Sequence, residues 1–218
     1  MQAFRTMILS LMAGGSLLLL ASGVAQAQSH SYINYMRSGV GSNVFVQQSV
    51  DGEYGKYAAS GNRTNVLGND ESFTDSQYWK GYGIGTTAGF ELMKFVQFVA
   101  GHTFVNMRRS DDSLESLNGS RLHAGVRLSF LSPAGNLELG AGAQGSRLDY
   151  QKQLDNGSFY GSGTYYSLGM NYFMSSKISV YYEAKLAREH LVRNGGSADA
   201  KAFDTDSTMM GLGFRIYL

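Results

Sequence analysis

The chain has 218 residues, a length that allows one domain of moderate size. Its 18 Lys and Arg residues against 17 Asp and Glu exclude recruitment of nucleic acid or of an acidic ligand by a strong net field. Because cysteine is absent, a disulfide framework, a lipid-modified cysteine and thiolate metal or redox chemistry are also excluded.

The first residues have the features of a secretory signal peptide. One basic residue, Arg5, precedes an apolar run from Met7 to Leu20, and Ala25-Gln26-Ala27 then supplies the small residues of a cleavage site. The run is short for a membrane-spanning helix, so an uncleaved anchor is the weaker alternative. We predict residues 1–27 as the signal peptide and residues 28–218 as the mature domain.

The mature chain contains segments that alternate between apolar residues and glycine, polar or charged residues. This two-residue period is typical of a strand whose two faces meet different surroundings. A first, interrupted strand is predicted somewhere within 33–48, and the third, at 95–107, can be read in either register. The clearer strands lie at 78–92, 121–130, 137–144, 160–172, 178–186 and 210–218.

The connections between these strands alternate in length. Short ones are predicted at 93–94, 131–136 and 174–176, and long polar ones at roughly 49–76, 108–118, 151–158 and 191–206. Short turns at one end and long loops at the other are typical of an outer-membrane barrel, with the turns in the periplasm and the loops outside. An even number of strands places both termini on the periplasmic side.

Three features favour a membrane barrel over a soluble β-sandwich, which is the alternative. The alternating segments have about the ten residues that a tilted strand needs to cross a bilayer. Glycine dominates the polar face, which suits a crowded interior. Aromatic residues lie near the ends of the apolar faces, at Tyr78, Phe90, Phe130, Tyr160 and Tyr172. We predict an all-β fold, a closed antiparallel up-and-down transmembrane β-barrel of about eight strands, in the outer membrane of a Gram-negative bacterium.

Charged residues of both signs fall on the polar faces and are predicted to form a charge network in the lumen. They are Glu91, Arg121, Arg127, Glu138, Glu183, Lys185 and Arg215. Arg127 and Glu138 are predicted to lie nearly opposite each other, and Glu183 and Arg215 lie on strands seven and eight. Since an unpaired buried charge costs several kcal/mol, we expect a salt-bridge plug. A lumen of eight strands is too narrow for a porin, whereas a channel for very small solutes stays open as an alternative.

The last strand carries a more specific pattern. Its apolar face consists of Met210, Leu212, Phe214, Ile216 and Leu218, and it resembles the C-terminal signal by which outer-membrane barrels are recognised for assembly. The mature chain as a whole resembles, in architecture, the eight-stranded group that includes the OmpA transmembrane domain, OmpX, Ail and the Opa adhesins. The resemblance implies contact with the barrel assembly machinery during biogenesis. Such signals usually end in Phe, whereas this chain ends in Leu218.

Catalysis is the competing interpretation, because small barrels include lipid A modifying enzymes. Glu189-His190 with Ser207 is the only Ser/His/Glu grouping that the sequence offers, and such groupings arise easily by chance. His123 is predicted to be a hydrogen-bonded lumen residue. His30 lies in the predicted N-terminal tail, and His102 lies between Gly101 and Thr103 on the strand whose register is open. The His-x-Ser-Asn pattern of lipid A deacylases is absent, and no cluster has metal-ligand spacing. We predict no enzyme activity, no cofactor and no metal.

The extracellular side is the predicted place of function. Arg108, Arg109, Arg188 and Arg193, with Lys201 nearby, have the charge to contact the phosphates of lipopolysaccharide, although ordinary solvated loop charge is the preferred explanation. Resemblance to Ail and Opa implies adhesive or receptor-binding loops. We therefore predict a monomer that serves envelope integrity or surface interaction, with an unidentified host or surface ligand.

Overall fold

The computed structural model describes residues 44–64, 70–92, 95–111, 115–132, 135–152, 155–175, 177–194 and 200–218. The predicted signal peptide and residues 28–43 lie outside this part. The strands are β1 Val44–Thr64, β2 Asp70–Leu92, β3 Val96–Arg109, β4 Ser116–Ser132, β5 Gly135–Lys152, β6 Asp155–Phe173, β7 Ile178–Asn194 and β8 Ala200–Tyr217. Among the described residues, no helix has the length and apolar character needed to cross a membrane.

The eight strands form one closed barrel in chain order. Each strand pairs antiparallel with the next, and β8 returns to β1, from Phe45 opposite Tyr217 at one end to Gly61 opposite Ala200 at the other. Closure leaves no long unpaired edge within the barrel wall. The predicted all-β, up-and-down architecture of eight strands is confirmed.

The strands are longer than the sequence indicates, and three of the four predicted long loops are wrong. The fourth, 108–118, corresponds to residues 110–115 between β3 and β4. β1 and β2 run through most of 49–76, and only residues 65–69 lie between them. Two residues, 153–154, replace the predicted loop 151–158, and residues 195–199 replace 191–206. These segments are rich in polar residues and were therefore predicted as loops, although they continue the barrel wall above the apolar zone.

The alternation reverses its polarity partway along the strands. On β2, Tyr82 faces outward and is 57% exposed, whereas Trp79, nearer the extracellular end, faces inward and is fully buried beside the outward Lys80. On β7, Leu186 faces outward, whereas Leu191 is buried in the lumen. An apolar exterior requires lipid, and an apolar interior with a polar exterior requires water. The point of reversal therefore marks the boundary between the membrane and the water on the extracellular side.

The outward apolar residues form a continuous belt on the periplasmic side of this boundary. Every strand contributes a large side chain that is 40–67% exposed, as at Val50, Ile84, Phe104, Leu122, Leu139, Tyr166, Leu186 and Leu212. On β4 the belt runs from Leu122 to Phe130, close to the ten or so residues that a tilted membrane strand needs. A soluble barrel would bury this surface. The fold is thus a transmembrane β-barrel whose strands continue beyond the membrane.

The register of β3, which the sequence leaves open, is fixed by its neighbours. Phe98 and Phe104 face outward in the apolar belt, whereas Gln97 and Thr103 are buried in the lumen. Both orientations carry apolar residues, since Val99 and Val105 face inward. The strand therefore lacks the clean alternation that sequence reading requires.

Glycine on the lumen side makes room for large side chains. Gly125 and Gly142 are directly opposite each other on β4 and β5, and both lie against the inward Tyr165. A Cβ atom added at Gly142 would lie only 2.7 Å from a ring carbon of Tyr165. Glycine at these positions therefore allows the aromatic ring to fill the lumen, as the glycine-rich polar face indicates.

Candidate functional site

The lumen contains three groups of ion pairs, which we call the lower, middle and upper tiers, counted from the periplasmic end. In the lower tier Arg215 donates two hydrogen bonds to Glu138, from Nη1 to Oε1 at 2.7 Å and from Nη2 to Oε2 at 2.8 Å. Gln97 donates to the same carboxylate at 3.1 Å and to Glu91 at 3.0 Å. The Arg215 guanidinium lies 4.3 Å from the ring centroid of Phe45. The side chains of the Arg215–Glu138 ion pair are completely buried.

The middle tier is built around Glu183. Arg127 donates to its Oε1 at 2.9 Å, and Lys185 Nζ lies 3.9 Å from its Oε2. Gln47 accepts hydrogen bonds from both Arg127, at 3.3 Å, and Arg215, at 3.1 Å, and so links this tier to the lower one. Because both arginines share one acceptor, the two tiers form a continuous network.

The pairing differs from the prediction from sequence. Glu138 lies opposite Ser129, two positions from Arg127, and its partner is Arg215 on the far wall. Arg127 pairs instead with Glu183, also across the lumen. Long side chains in a narrow barrel reach the opposite wall, so neighbouring strands do not determine the partners.

The upper tier contains two acidic residues that the sequence did not assign to the lumen. Arg121 forms ion pairs with Glu53 and, at 3.2 Å, with Glu189, and it donates a hydrogen bond to the Tyr57 hydroxyl at 3.0 Å. Ser146 donates to the second oxygen of Glu189. One cation thus lies between two carboxylates, and Tyr57 donates to Glu53 at 3.1 Å. The tier closes the lumen near the outer boundary.

Above the upper tier the lumen is filled by an apolar cluster, which we call the apolar cap. It consists of Tyr57, Ala59, Trp79, Val105, Met107, Leu117, Leu148, Phe159, Leu191 and Phe203. Phe159 and Phe203 have ring centroids 4.5 Å apart, and Tyr57 and Trp79 are 6.0 Å apart. This cap resembles the core of a soluble barrel, as expected where the wall has water outside.

Three of the four arginines predicted to contact lipopolysaccharide are engaged elsewhere. Arg109 donates to Asp111 at 2.9 Å and to Glu115 at 3.1 Å, and the Asp111 hydrogen bond raises the pKa of its guanidinium. Arg193 lies over the ring of Phe159, with 5.9 Å from its guanidinium carbon to the centroid. Arg188 faces outward but donates to Asp206 at 2.7 Å, which raises its pKa.

Arg108 differs from these three. It faces outward, and it lies opposite Ser116 on one side and Lys80 on the other. Lys201, near the start of β8, is exposed. Among the four predicted arginines, Arg108 is therefore the one that faces outward directly opposite a second cation, Lys80.

The predicted Ser/His/Glu grouping is divided between the two faces of the barrel wall. Glu189 and Ser207 are buried in the lumen, whereas His190 faces outward. His190 Nδ1 instead lies 2.7 Å from Asp204 Oδ1, and Ser162 is the directly opposed residue on its other side. The outward face therefore carries a Ser162, His190, Asp204 row that the sequence spacing conceals.

The other described histidines have local partners. His123 faces the lumen, where its Nε2 lies 3.1 Å from the Thr87 hydroxyl. His102 lies on the outward face, with its ring 4.3 Å from that of Phe104. His30 is outside the described residues.

The apolar residues of the predicted C-terminal signal lie on the lipid face of β8. Leu212, Phe214, Ile216 and Leu218 are 49–63% exposed, and Met210 is half-buried on the same face. The strand is paired with β1 and β7 on its two sides, so it has no free edge, and its outward apolar face is part of the belt.

The closed eight-stranded wall, the outward belt and the filled lumen define the fold of a small transmembrane barrel of the outer-membrane type. No family model and no curated protein matches the chain. Among solved structures, Neisserial surface protein A is similar, with a TM-score of 0.55 and 14% identity over 82% of this chain and 99% of its own.

Two further structures have the same architecture. OprG from Pseudomonas aeruginosa has a TM-score of 0.55 and 12% identity, over 83% of this chain and 98% of its own. AlkL, determined in DMPC lipid bilayers, has a TM-score of 0.52 and 9% identity, over 83% of this chain and 92% of its own. At these identities the likeness concerns the fold, and it confirms the predicted resemblance to small eight-stranded outer-membrane barrels.

Proposed function

We propose that the protein is a sealed outer-membrane barrel that acts through its outer surface and extracellular end, in envelope integrity or surface interaction. The observation that supports this proposal is the filling of the lumen by the three tiers and the apolar cap. Arg121, Arg127 and Arg215 are each at most 2% exposed, so their charges are closed off from solvent. A continuous water path through the barrel would instead require lumen side chains that are exposed to water along its whole length.

The wall above the membrane supports the same proposal. β1 and β2 have 21 and 23 residues, about twice the length that a bilayer requires. The additional residues build a rigid polar rim over the apolar cap. Such a rim presents side chains at fixed positions, which favours recognition of a ligand at low entropic cost.

The first prediction concerns conductance. Purified protein inserted into planar bilayers should produce no steady conductance steps, because the arginines and aromatic rings of the lumen leave no water-filled path. Stable ohmic steps from the wild-type protein would contradict a sealed lumen and favour the narrow-channel alternative.

A second candidate function is hydrolysis of an acyl ester at the outer surface. It is favoured by the outward row of Ser162, His190 and Asp204, whose members are directly opposed on β6, β7 and β8. Directly opposed side chains have Cβ atoms about 5 Å apart. A carboxylate on Nδ1 is the group that orients a catalytic imidazole, leaving Nε2 for the serine proton. Beside Ser162, on β5, lies the small Gly145, where an added Cβ would make only one ordinary contact, at 3.7 Å from the Gly161 carbonyl oxygen.

This candidate predicts covalent labelling of Ser162. A fluorophosphonate probe should label the folded wild-type protein, and Ser162→Ala and His190→Ala should each reduce labelling by at least about a hundredfold. Ser76→Ala, which changes another exposed outward serine, is the matched control and should label normally. An unlabelled wild-type protein, together with an unchanged lipid A acyl pattern in cells that lack it, would eliminate this candidate.

A further inference from the structure

Three outward cations lie together on neighbouring strands, and we call Lys56, Lys80 and Arg108 the cationic patch. Lys80 on β2 is directly opposite Arg108 on β3. Lys56 on β1 is opposite Tyr78, and Tyr54 is opposite Lys80, so Lys56 is the diagonal neighbour of Lys80. Opposed and diagonal side chains in a sheet lie about 5 Å and 7–8 Å apart at Cβ. The three cations are therefore close enough to share one ligand.

The Lys80–Arg108 pair is electrostatically unfavourable as it stands. Within the described part of the chain, no carboxylate forms an ion pair with Lys80 or Arg108, in contrast to Arg188 at the same end of the barrel. Asp206 lies opposite Lys56 but accepts its hydrogen bond from Arg188. Like charges directly opposite each other destabilise a sheet. An anion between the two side chains would convert this repulsion into attraction.

The patch lies at the outer boundary of the membrane. Lys56 and Lys80 are the first outward residues beyond Tyr54 and Tyr82, which end the apolar belt on their strands. Tyr54 and Tyr78 stack at 5.7 Å between ring centroids, with 13° between ring planes, and both are about half exposed. Tyrosine on the lipid face is typical of the headgroup level. A ligand at this height is reached from the lipid as well as from water.

We propose that the cationic patch binds the phosphate groups of an anionic glycolipid of the outer leaflet. The proposal rests on the outer-membrane location proposed above and names the partner of that surface. Arg108 supplies the planar fork that suits a phosphate, and Lys80 supplies a second charge on the other side of it. The apolar belt below accepts the acyl chains, and the tyrosines contact the headgroup. A soluble anion has no acyl chains to contact the belt, so it would gain only the electrostatic attraction of the patch.

The test compares two charge-matched double variants of the full mature protein. Lys80→Gln/Arg108→Gln removes two patch charges, whereas Arg147→Gln/Lys177→Gln removes one charge from the outward face of β5, which does not adjoin the patch strands, and one from the periplasmic turn. Native mass spectrometry from detergent counts bound copies of bisphosphorylated lipid A, with dephosphorylated lipid A and a sulfated oligosaccharide as comparison probes. At about fivefold for each charge, the patch variant should bind lipid A about 25-fold more weakly. The control variant should change little.

Stability separates loss of a binding site from loss of folding. In detergent without lipid A, the urea midpoint of the patch variant should equal or exceed that of the wild type, because a repulsive pair has been removed. Equal lipid A binding by the two variants, equal binding of dephosphorylated lipid A by the wild type, or tighter binding of the sulfated oligosaccharide than of lipid A would each overturn the proposal. The conductance experiment tests the sealed lumen of the proposed function separately, since none of the lipid A binding results depends on whether the lumen is closed.

Discussion

Replacing Arg215 with methionine should lower the free energy of unfolding by about 3–5 kcal/mol. The substitution keeps most of the side-chain volume but leaves Glu138 with a buried charge and only Gln97 as a described hydrogen-bond donor. Gln47 loses a donor at the same time. Urea unfolding of the protein refolded into lipid vesicles, followed by tryptophan fluorescence of Trp79, measures the change.

The matched control removes both charges. Arg215→Met/Glu138→Leu leaves no uncompensated ion, so its stability should recover to within about 1–2 kcal/mol of the wild type. If the double variant were no more stable than Arg215→Met alone, the loss would come from the contact of Arg215 with Phe45 rather than from the unpaired carboxylate. Unchanged stability of the single variant would contradict the buried pair altogether.

Replacing Phe214 with aspartate should block insertion into the membrane. The change removes about 1.5–3 kcal/mol of favourable transfer into lipid and places a carboxylate on the lipid face of β8, so the folded yield should fall to less than about a tenth of the wild type. It also disrupts the apolar pattern that we propose as the assembly signal. Heat-dependent gel migration of membrane fractions gives the folded yield, because a folded barrel migrates differently before and after boiling.

Two variants of the same strand serve as controls. Ala202→Asp adds the same charge to the outward face of β8 beyond the apolar belt, where Asp204 and Asp206 already lie, and should insert normally. Leu218→Phe should preserve or improve insertion, since it restores the usual last residue of such signals. Normal insertion of Phe214→Asp would show that this face neither meets lipid nor carries the signal.

The sequence predicts the lower half of the barrel well because the membrane imposes one simple rule there. Lipid accepts only apolar side chains, so Leu122, Val126 and Phe130 must alternate with lumen residues. The same rule identifies Arg121 and Arg127 as lumen residues. β3 is less clear because the lumen also accepts apolar side chains such as Val99.

The upper half was mispredicted because its environment is different. Beyond the belt, most outward residues are polar and the inward ones apolar. Phe203 therefore fell within a segment predicted as a loop, Phe159 directly followed one, and Trp79 lay at the start of a predicted strand. The sequence does contain a signal, since each of these aromatic residues falls at an inward-facing position of its strand when the two-residue alternation is extended. The signal is missed when a segment is assigned as a loop from its polar content alone.

Partners within the lumen were not predictable from neighbouring strands. Glu53 fell within a predicted loop, and Glu189 was grouped with His190 and Ser207, yet both glutamates pair with Arg121. Such contacts depend on the diameter of the closed barrel and on which residues share a height. Neither quantity can be read from one strand at a time.

The most direct test of a sealed barrel is conductance measured against a variant with an opened lumen. Trp79→Ala/Arg121→Ala/Arg127→Ala/Arg215→Ala removes one large side chain from the apolar cap and one from each of the three tiers, and it should produce conductance steps if its heat-dependent gel migration shows that it is folded. The wild-type protein, inserted in the same bilayers at the same amount, should give none. Steps of equal size from both proteins would contradict the sealed lumen.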